Sequence, residues 1–373
     1  MDEKGYKMSK SLGNVIDPAR IIEGGSNQKL EPAYGADTLR LWVSGVDYSG
    51  DVCVGSNIMK QVSESSRKLR NTMRYLLGSV SDFNPAVHAV PYEQLASLDK
   101  YTLGRLTETV KEIDAAYKEY QFSRVNQALL HFATSDLSVF YLETAKDRLY
   151  ISSQDEFRRR SCQTVIAAVL VQLSVAMAPI VPHMAEEVWR SIPFQKPTLS
   201  VFERGWVRPD EMYPAFDVTK WDKLKSLRND VNRCIEIARK NKLVGASMES
   251  KVYLYVQDKE EGVLLKSMLC GDAFGRQALS GDTSTVSVDD LRFVLMVSQV
   301  EICSSLEALQ TACPDYQLLG KEGESGVAVG VTRADGKKCE RCWYYSANVG
   351  EDHVHSELCL RCADVVTKDK YEI

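Results

Sequence analysis

A mainly α-helical protein, followed by a small α/β domain and a metal-held tail, is the fold class this sequence predicts, and three observations predict it. Between Asn57 and about Arg239 apolar residues recur at three- and four-residue spacing, the period of a helix face turned to a core. After about residue 245 the period drops to two, as in a half-buried strand. Near the end stand two Cys-x-x-Cys pairs, separated by sixteen residues. With 373 residues, 44% hydrophobic and 26% charged, the chain can build two or three domains with cores of their own.

The bulk numbers narrow the function classes. A formal charge of −5 makes no global electrostatic case for nucleic acid, so any such contact has to rest on local patches. Ten cysteines are too sparse for a disulfide framework, which favours a reducing compartment. Cys53, Cys162, Cys234, Cys270, Cys303 and Cys313 lack ligand-like spacing and read as structural. The most apolar run, Val165 to Val181, contains Gln172 and is interrupted by Pro179, so a buried helix is expected there and no membrane association. Met1 to Lys7 has neither the apolar core of a secretory signal nor transit-peptide character. The expectation is cytoplasm or an organelle such as a plastid or mitochondrion, and not secretion.

Residues 1–55 are rich in Gly, Pro and Asp, with short helices expected around Pro18 to Glu23 and from Ala36. Lys7 to Asn14 reads K-M-S-K-S-L-G-N. Two ammonium groups among hydroxyl and backbone N–H donors can surround phosphate oxygens, so a polyphosphate is the natural ligand. By composition alone such a loop is a solvated turn; the eight-residue string is more specific than its composition. The polar stretch Glu23 to Ala33 reads as a tolerated surface insertion.

Residues 56–240 form the predicted helical bundle of five or six helices. Ile58 to Leu77, Leu98 to Tyr117, and the set Phe122, Val125, Leu129, Phe132, Leu137, Phe140 and Tyr141 carry the helical period. Pro85, Pro91 and the stretch from Ile192 to Pro209 punctuate it. Lys60, Arg67, Arg70 and Arg74 fall on one face as a positive stripe that could follow phosphates, although such stripes are commonly solvated faces. Glu186 and Glu187 begin a helix after Pro182 and read as surface residues that suit its dipole.

Residues 241–335 predict a small α/β domain. Val252, Leu254 and Val256 alternate with Tyr253, Tyr255 and Gln257; Leu291 to Val300 is β-favouring; Glu260 to Leu269 is a candidate helix and Gly326 to Thr332 a further strand.

In residues 336–373, Cys339, Cys342, Cys359 and Cys362 can bring four thiolates to one tetrahedral centre, the pattern of structural Zn²⁺. Four sulfurs leave no open position, so a catalytic metal is not expected. A redox pair or two disulfides are the other readings. His353 and His355 lie between the pairs and are not needed as ligands. Metal binding would supply about 10 kcal/mol to a tail too short for its own core. The tail carries six basic and seven acidic residues, so charge alone would not hold RNA. Beside Cys342, Trp343 could stack on an unpaired base and Arg341 could reach its edge or phosphate. Equally, Trp343 could be an apolar lid over the metal.

The string Lys7 to Asn14 resembles the signature loop of class I aminoacyl-tRNA synthetases. The resemblance continues through Val15-Ile16-Asp17-Pro18, Tyr34 to Trp42, Asp47 to Asp51, Arg67 to Thr72 and Met177 to Trp189, and so covers essentially the whole chain. With the cysteine cluster it points to the isoleucyl members of bacterial or organellar type. It implies that Lys7, Met8, Ser9, Lys10 and Ser11 bind ATP, with Lys10 on the triphosphate and Lys7 beside it as the catalytic pair, and with Mg²⁺ in the complete enzyme. It also implies isoleucine and tRNA(Ile) as partners. Lys60, Arg67, Arg70 and Arg74 would lie near the anticodon stem, and Arg341 and Trp343 near the anticodon. The order of parts would be the end of a catalytic domain, an anticodon-binding bundle, a small α/β domain and a zinc module.

The five histidines form no H-x-G-H signature. The resemblance therefore implies that the nucleotide-binding sheet and editing domain precede Met1, that this chain alone binds tRNA without charging it, and that the N-terminal catalytic half is a partner. A freestanding non-catalytic tRNA-binding protein is the alternative, and a zinc-stabilised scaffold without an RNA role a third.

Overall fold

The computed structural model describes residues 1–206, 208–209, 212–269, 291–318 and 323–369. Cys270, read above as structural, lies outside the described residues. The chain forms two compact units that alternate along the sequence. One comprises Met1–Ala89, Thr102–Val139 and Gln163–Ala215; the other comprises Val90–Tyr101, Phe140–Cys162 and Phe216–Ile373.

The first unit is helical. It begins with α1 (Pro18–Glu23), α2 (Ala36–Gly45), α3 (Ser56–Ser79) and α4 (Pro85–His88). Asp17 caps α1 through its side chain, with Pro18 at the first helical position. In α3 the buried residues Leu69, Met73 and Leu76 repeat every three or four positions, which is what turns one face inward and leaves the basic face outside. Most of α5 (Ser97–Lys118), then α6 (Phe122–His131), follow.

The spacing from Phe132 to Leu137 is five, not four, and there the chain winds as a π-helix, Phe132–Tyr141, before α7 (Leu142–Tyr150). Ser138 Oγ donates to Ala133 O, five residues back, at 2.8 Å. Phe132, Leu137, Phe140 and Tyr141 are all buried, so the wider winding keeps one stripe inward where an α-helix would rotate it out.

Helix α8 (Phe157–Met177) is long and apolar enough to cross a membrane by length and composition, but 78% of that stretch is buried inside the protein. Helix α9 (Pro182–Ser191) follows, with Pro182 starting it. Asp37 of α2 accepts the Met184 backbone N–H at 2.7 Å, a cap supplied from another helix.

The second unit contains the sheet. Helix α10 (Thr219–Lys240) buries Trp221, Leu224, Leu227, Val231, Cys234 and Ala238, and packs on strands of a four-stranded sheet. Its strands are β1 (Ser250–Tyr255), β2 (Gln299–Ile302), β3 (Gln317–Leu318) and β4 (Ala328–Arg333), in the order β2-β1-β4-β3. β1 pairs parallel with β2 and antiparallel with β4, with Val252 opposite Val300 and Val331. Val252 and Leu254 are fully buried, as the alternation requires. Helix α11 (Lys259–Ser267) is capped by Asp258.

The β-favouring run Leu291 to Val300 splits. Leu291–Leu295 is helix α12, Met296 takes φ +59°, and only from Gln299 does the strand begin. Burial of Leu291, Phe293, Val294 and Leu295 outweighs their β propensity. Helix α13 (Leu306–Ala312) packs on β1 and β4.

The same unit holds a buried ion pair. Asp99 receives Arg148 Nη1 at 2.9 Å from both carboxylate oxygens, with Tyr141 Oη at 2.6 Å and Ser161 Oγ at 2.5 Å. The carboxylate is thereby fully hydrogen-bonded where water does not reach.

Candidate ligand loop and metal centre

The loop from Lys7 to Asn14 is held at its base and open at its cations. Asn14 closes it: its Oδ1 accepts the Ser9 N–H at 2.9 Å, and its Nδ2 donates to Asp2 at 3.0 Å and to Lys7 O at 3.4 Å. That bond from Asn14, followed by the Tyr6 N–H, holds the Asp2 carboxyl below its usual pKa. Ser9 and Ser11 hydroxyls lie 3.1 Å apart, and Leu12 N–H donates to Ser9 Oγ. Gly13 has φ +64°, a turn that favours glycine. Met8 packs with Ile16, Tyr34, Leu39 and Trp42 on a small cluster of Ile21, Val54 and Met59. Lys7 and Lys10 are exposed. Five residues expected at the ligand thus divide by role: Met8 anchors, the serines shape, and the two lysines are presented.

Two contributors were not legible beforehand. Glu3 Oε1 accepts the N–H groups of Asn57 at 2.5 Å and Ile58 at 3.0 Å, capping α3 from outside. Asn14 sits inside the motif, and its signal was an amide able to donate and accept at a loop's end. Replacing Asn14 by Ala removes about 1–2 kcal/mol of hydrogen bonding from the closed loop, which raises the open population about 5–30-fold. Trypsin should then cut after Lys7 and Lys10 faster by that factor; an unchanged rate would show that the amide does not hold the loop.

Lys60, Arg67, Arg70 and Arg74 of α3 are exposed on one face. Two are answered by carboxylates: Arg67 pairs with Glu64, and Arg70 Nη1 reaches both oxygens of Glu187 on α9 at 2.8 and 2.9 Å. Lys60 and Arg74 carry no ion pair among the described residues. The stripe is therefore weaker in free charge than its sequence. The other flagged carboxylate, Glu186, accepts Val201 N–H at 3.0 Å and Ser200 Oγ at 2.9 Å, which makes it a structural brace.

The four cysteines converge. Cys339 and Cys342 flank the turn of a hairpin, β5 (Lys337–Lys338) with β6 (Tyr345–Ser346); Cys359 and Cys362 stand at the start of helix α14 (Leu360–Asp369). Gly336, φ +86°, opens the hairpin where a Cβ would come 2.4 Å from the Ser346 carbonyl carbon. All four cysteines are buried, with their Sγ atoms within 4.8 Å of one another. Four sulfurs at about 2.3 Å from a tetrahedral Zn²⁺ stand about 3.8 Å apart; Cys342 and Cys359 are 3.8 Å apart. The residues fit a structural Zn²⁺.

Hydrogen bonds from Cys342, Cys359 and Cys362 hold the Cys339 thiol far below its usual pKa, while the crowded Cys362 is pushed far above. Val349, Leu358, Ala363 and Val366 complete the small core, with Ile151 and Tyr344 against it.

Trp343 is not the lid: it is 59% exposed, and Tyr344 takes the apolar position. Its φ of +67° is a strained conformation for a bulky residue, fixed by its N–H donating to Cys339 O at 2.8 Å. Lys338 Nζ lies 5.7 Å from the indole centroid. Arg341, expected near the anticodon, makes contacts within the module. It is half-buried, and its Nη1 donates to Ile151 O at 2.7 Å and lies 3.9 Å from Cys362 Sγ. One terminal nitrogen of the guanidinium is thus engaged inside the module.

A further group was invisible in the sequence. Arg361, inside the second cysteine pair, binds Asp147 of α7 bidentately at 2.6 and 2.7 Å. Arg158 approaches the same carboxylate at 3.8 Å, and both guanidiniums lie over the Phe293 ring.

Three family profiles match this chain: "tRNA synthetases class I (I, L, M and V)" over residues 1–55, "Anticodon-binding domain of tRNA ligase" over 99–254, and "Zinc finger found in FPG and IleRS" over 336–365. The isoleucine–tRNA ligase of a Cyanothece species is 47% identical over 371 residues, 99% of this chain and 38% of that protein. That of Thermosynechococcus vestitus is 48% identical over 363 residues, 97% of this chain and 36% of that protein. The chain thus spans a little over a third of the length of these relatives. A ternary complex of LeuRS, tRNA and LeuAMS from Agrobacterium radiobacter aligns with 76% of this chain and 29% of that one, at 17% identity and a TM-score of 0.41.

Proposed function

Because this chain belongs to the isoleucine–tRNA ligases of class I, we propose that it supplies the phosphate-contacting loop and the tRNA(Ile)-binding parts of ATP-dependent isoleucine attachment. Lys7 and Lys10 hold the triphosphate, with Mg²⁺ bound in the complete enzyme, and Ser9 and Ser11 keep the loop in shape. Charge that builds up on phosphate oxygens in the transition state is what an ammonium group stabilises most. The loop does this only where a pocket positions ATP and isoleucine, which this reading assigns to an N-terminal catalytic half acting with the chain. In this reading residues 1–55 close the catalytic domain, 56–240 form the anticodon-binding domain, 241–335 the α/β domain and 336–373 the zinc module. Cytoplasm or an organelle is the assigned compartment.

On tRNA, Lys60 and Arg74 contact phosphates directly, and Arg67 and Arg70 exchange a carboxylate for one. The observation that carries the RNA reading is Trp343, an exposed indole held in a strained conformation on a metal-fixed turn. Strain kept at an exposed aromatic suits a stacking platform for an unpaired base.

The test is binding of tRNA transcripts that differ only in anticodon, at one salt concentration. The isoleucine anticodon is expected to bind more tightly, and Trp343→Ala to lose about 1–3 kcal/mol of that affinity with zinc content intact. Equal binding of both transcripts would sink the anticodon assignment; undiminished binding by the variant would remove Trp343 from it.

A further inference from the structure

We infer that Arg341 is a positioning and charge-balancing residue of the four-sulfur centre. The inference rests on the zinc assignment and is independent of the tRNA reading. Arg341 lies between Cys339 and Cys342, yet its guanidinium leaves that pair. Nη1 reaches Cys362 Sγ of the other pair at 3.9 Å and Ile151 O, just after α7, at 2.7 Å. One side chain therefore joins the first knuckle, the second knuckle and the helix end on which the module's core rests.

Charge explains why a cation belongs there. Four thiolates around a divalent metal leave about two negative charges. The sulfurs are buried, where uncompensated charge is costly. Backbone donors offset part of it, as Cys359 N–H does at Cys339 Sγ, 3.3 Å away.

Arg361 adds its field at Cys342, Cys359 and Cys362, but its hydrogen bonds, like the ion pairs of neighbouring Arg158, go to carboxylates. Arg361 gives both terminal nitrogens to Asp147; Arg158 faces Asp147 at 3.8 Å and Glu156 at 3.9 Å. Arg341 makes no ion pair with a carboxylate among the described residues. Its field lowers the Asp147 pKa only as the last of several causes. Its Nη1 meets a neutral carbonyl and a sulfur, so its charge stands beside Cys362 in addition to the field of Arg361.

A guanidinium that bridges the Ile151 carbonyl and the Cys362 sulfur ties the two cysteine pairs to one anchor and places a positive charge beside that sulfur. Partners outside the ligand set change metal affinity by about 10–100-fold when removed.

The experiment uses the whole zinc-loaded chain and follows zinc transfer to excess chromogenic chelator at pH 7, with the thiolate-to-metal band of the Co²⁺-substituted chain as second readout. R341Q is expected to release zinc about tenfold faster or more and to shift the Co²⁺ band. R341K, which keeps charge but loses the fork, should fall between R341Q and the parent. K338Q, at an exposed cation of the same hairpin, should release at the parent rate. If R341Q does not accumulate folded, R341K decides, and its release has to exceed the parent's. Parent-like release and an unshifted band in the folded variant overturn the proposal. So does parent-like release combined with lost transcript affinity at saturating zinc, which would return Arg341 to the RNA. Failure of anticodon preference in the parent chain touches the tRNA reading alone.

Discussion

Removing the metal from this chain, by chelator or by Cys362→Ser, is expected to unfold the segment from Gly336 to α14. Four of the eight buried residues in its core are the cysteines themselves, and the others are Val349, Leu358, Ala363 and Val366. So small an apolar set offsets little of the chain entropy of about thirty residues, at roughly 1–2 kcal/mol each. Metal binding, on the order of 10 kcal/mol in modules of this kind, has to provide the difference. Amide hydrogen exchange before and after chelation measures it: protection along α14 should vanish while that of β1 and β4 persists. Protection of α14 that survives complete zinc removal would show that packing and the Asp147 bridge suffice.

Asp147→Ala is expected to cost about 3–5 kcal/mol, because it removes the bidentate carboxylate of Arg361 and one of the two carboxylates that Arg158 faces. The same group sets a pH dependence. Burial pushes the Asp147 carboxyl up, but the charge and hydrogen bonds of Arg361, then the charges of Arg158 and Arg341, outweigh it and leave the pKa lowered. A carboxylate whose folded pKa lies below its unfolded value stabilises fully above the unfolded value, about 3.9, and loses that contribution as pH falls through the folded one. Urea unfolding at pH 7 and at about pH 3 should therefore show a gap between the parent and Asp147→Asn that narrows in acid. A gap that stays constant with pH would mean that the bridge is not what the carboxylate contributes.

Parts of the site differed in how far they could be read from sequence. The cysteine spacing announced its tetrahedron, because ligand geometry in a short module is set by local turns. The K-M-S-K-S-L-G-N loop announced its cations for the same reason. Arg341 could not be read this way: a basic residue beside a cysteine is compatible with solvent or with a thiolate, and only the position of Ile151, nearly two hundred residues earlier, turns it inward. Arg70 is similar, since its partner Glu187 comes from α9.

Local rules by themselves determined the helical period of the bundle, the alternation of β1, the caps by Asp17 and Asp258 and the metal pattern, since each depends on residues within a few positions. Only the tertiary structure decided that Leu291–Leu295 is helix, that Phe132–Tyr141 winds as a π-helix, that Trp343 stays outside while Tyr344 covers the sulfurs, and that Asp147 holds the zinc module. The reason is physical: burial and buried charge are energies of contact between distant residues, and they outweigh local preferences of a few tenths of a kcal/mol per residue.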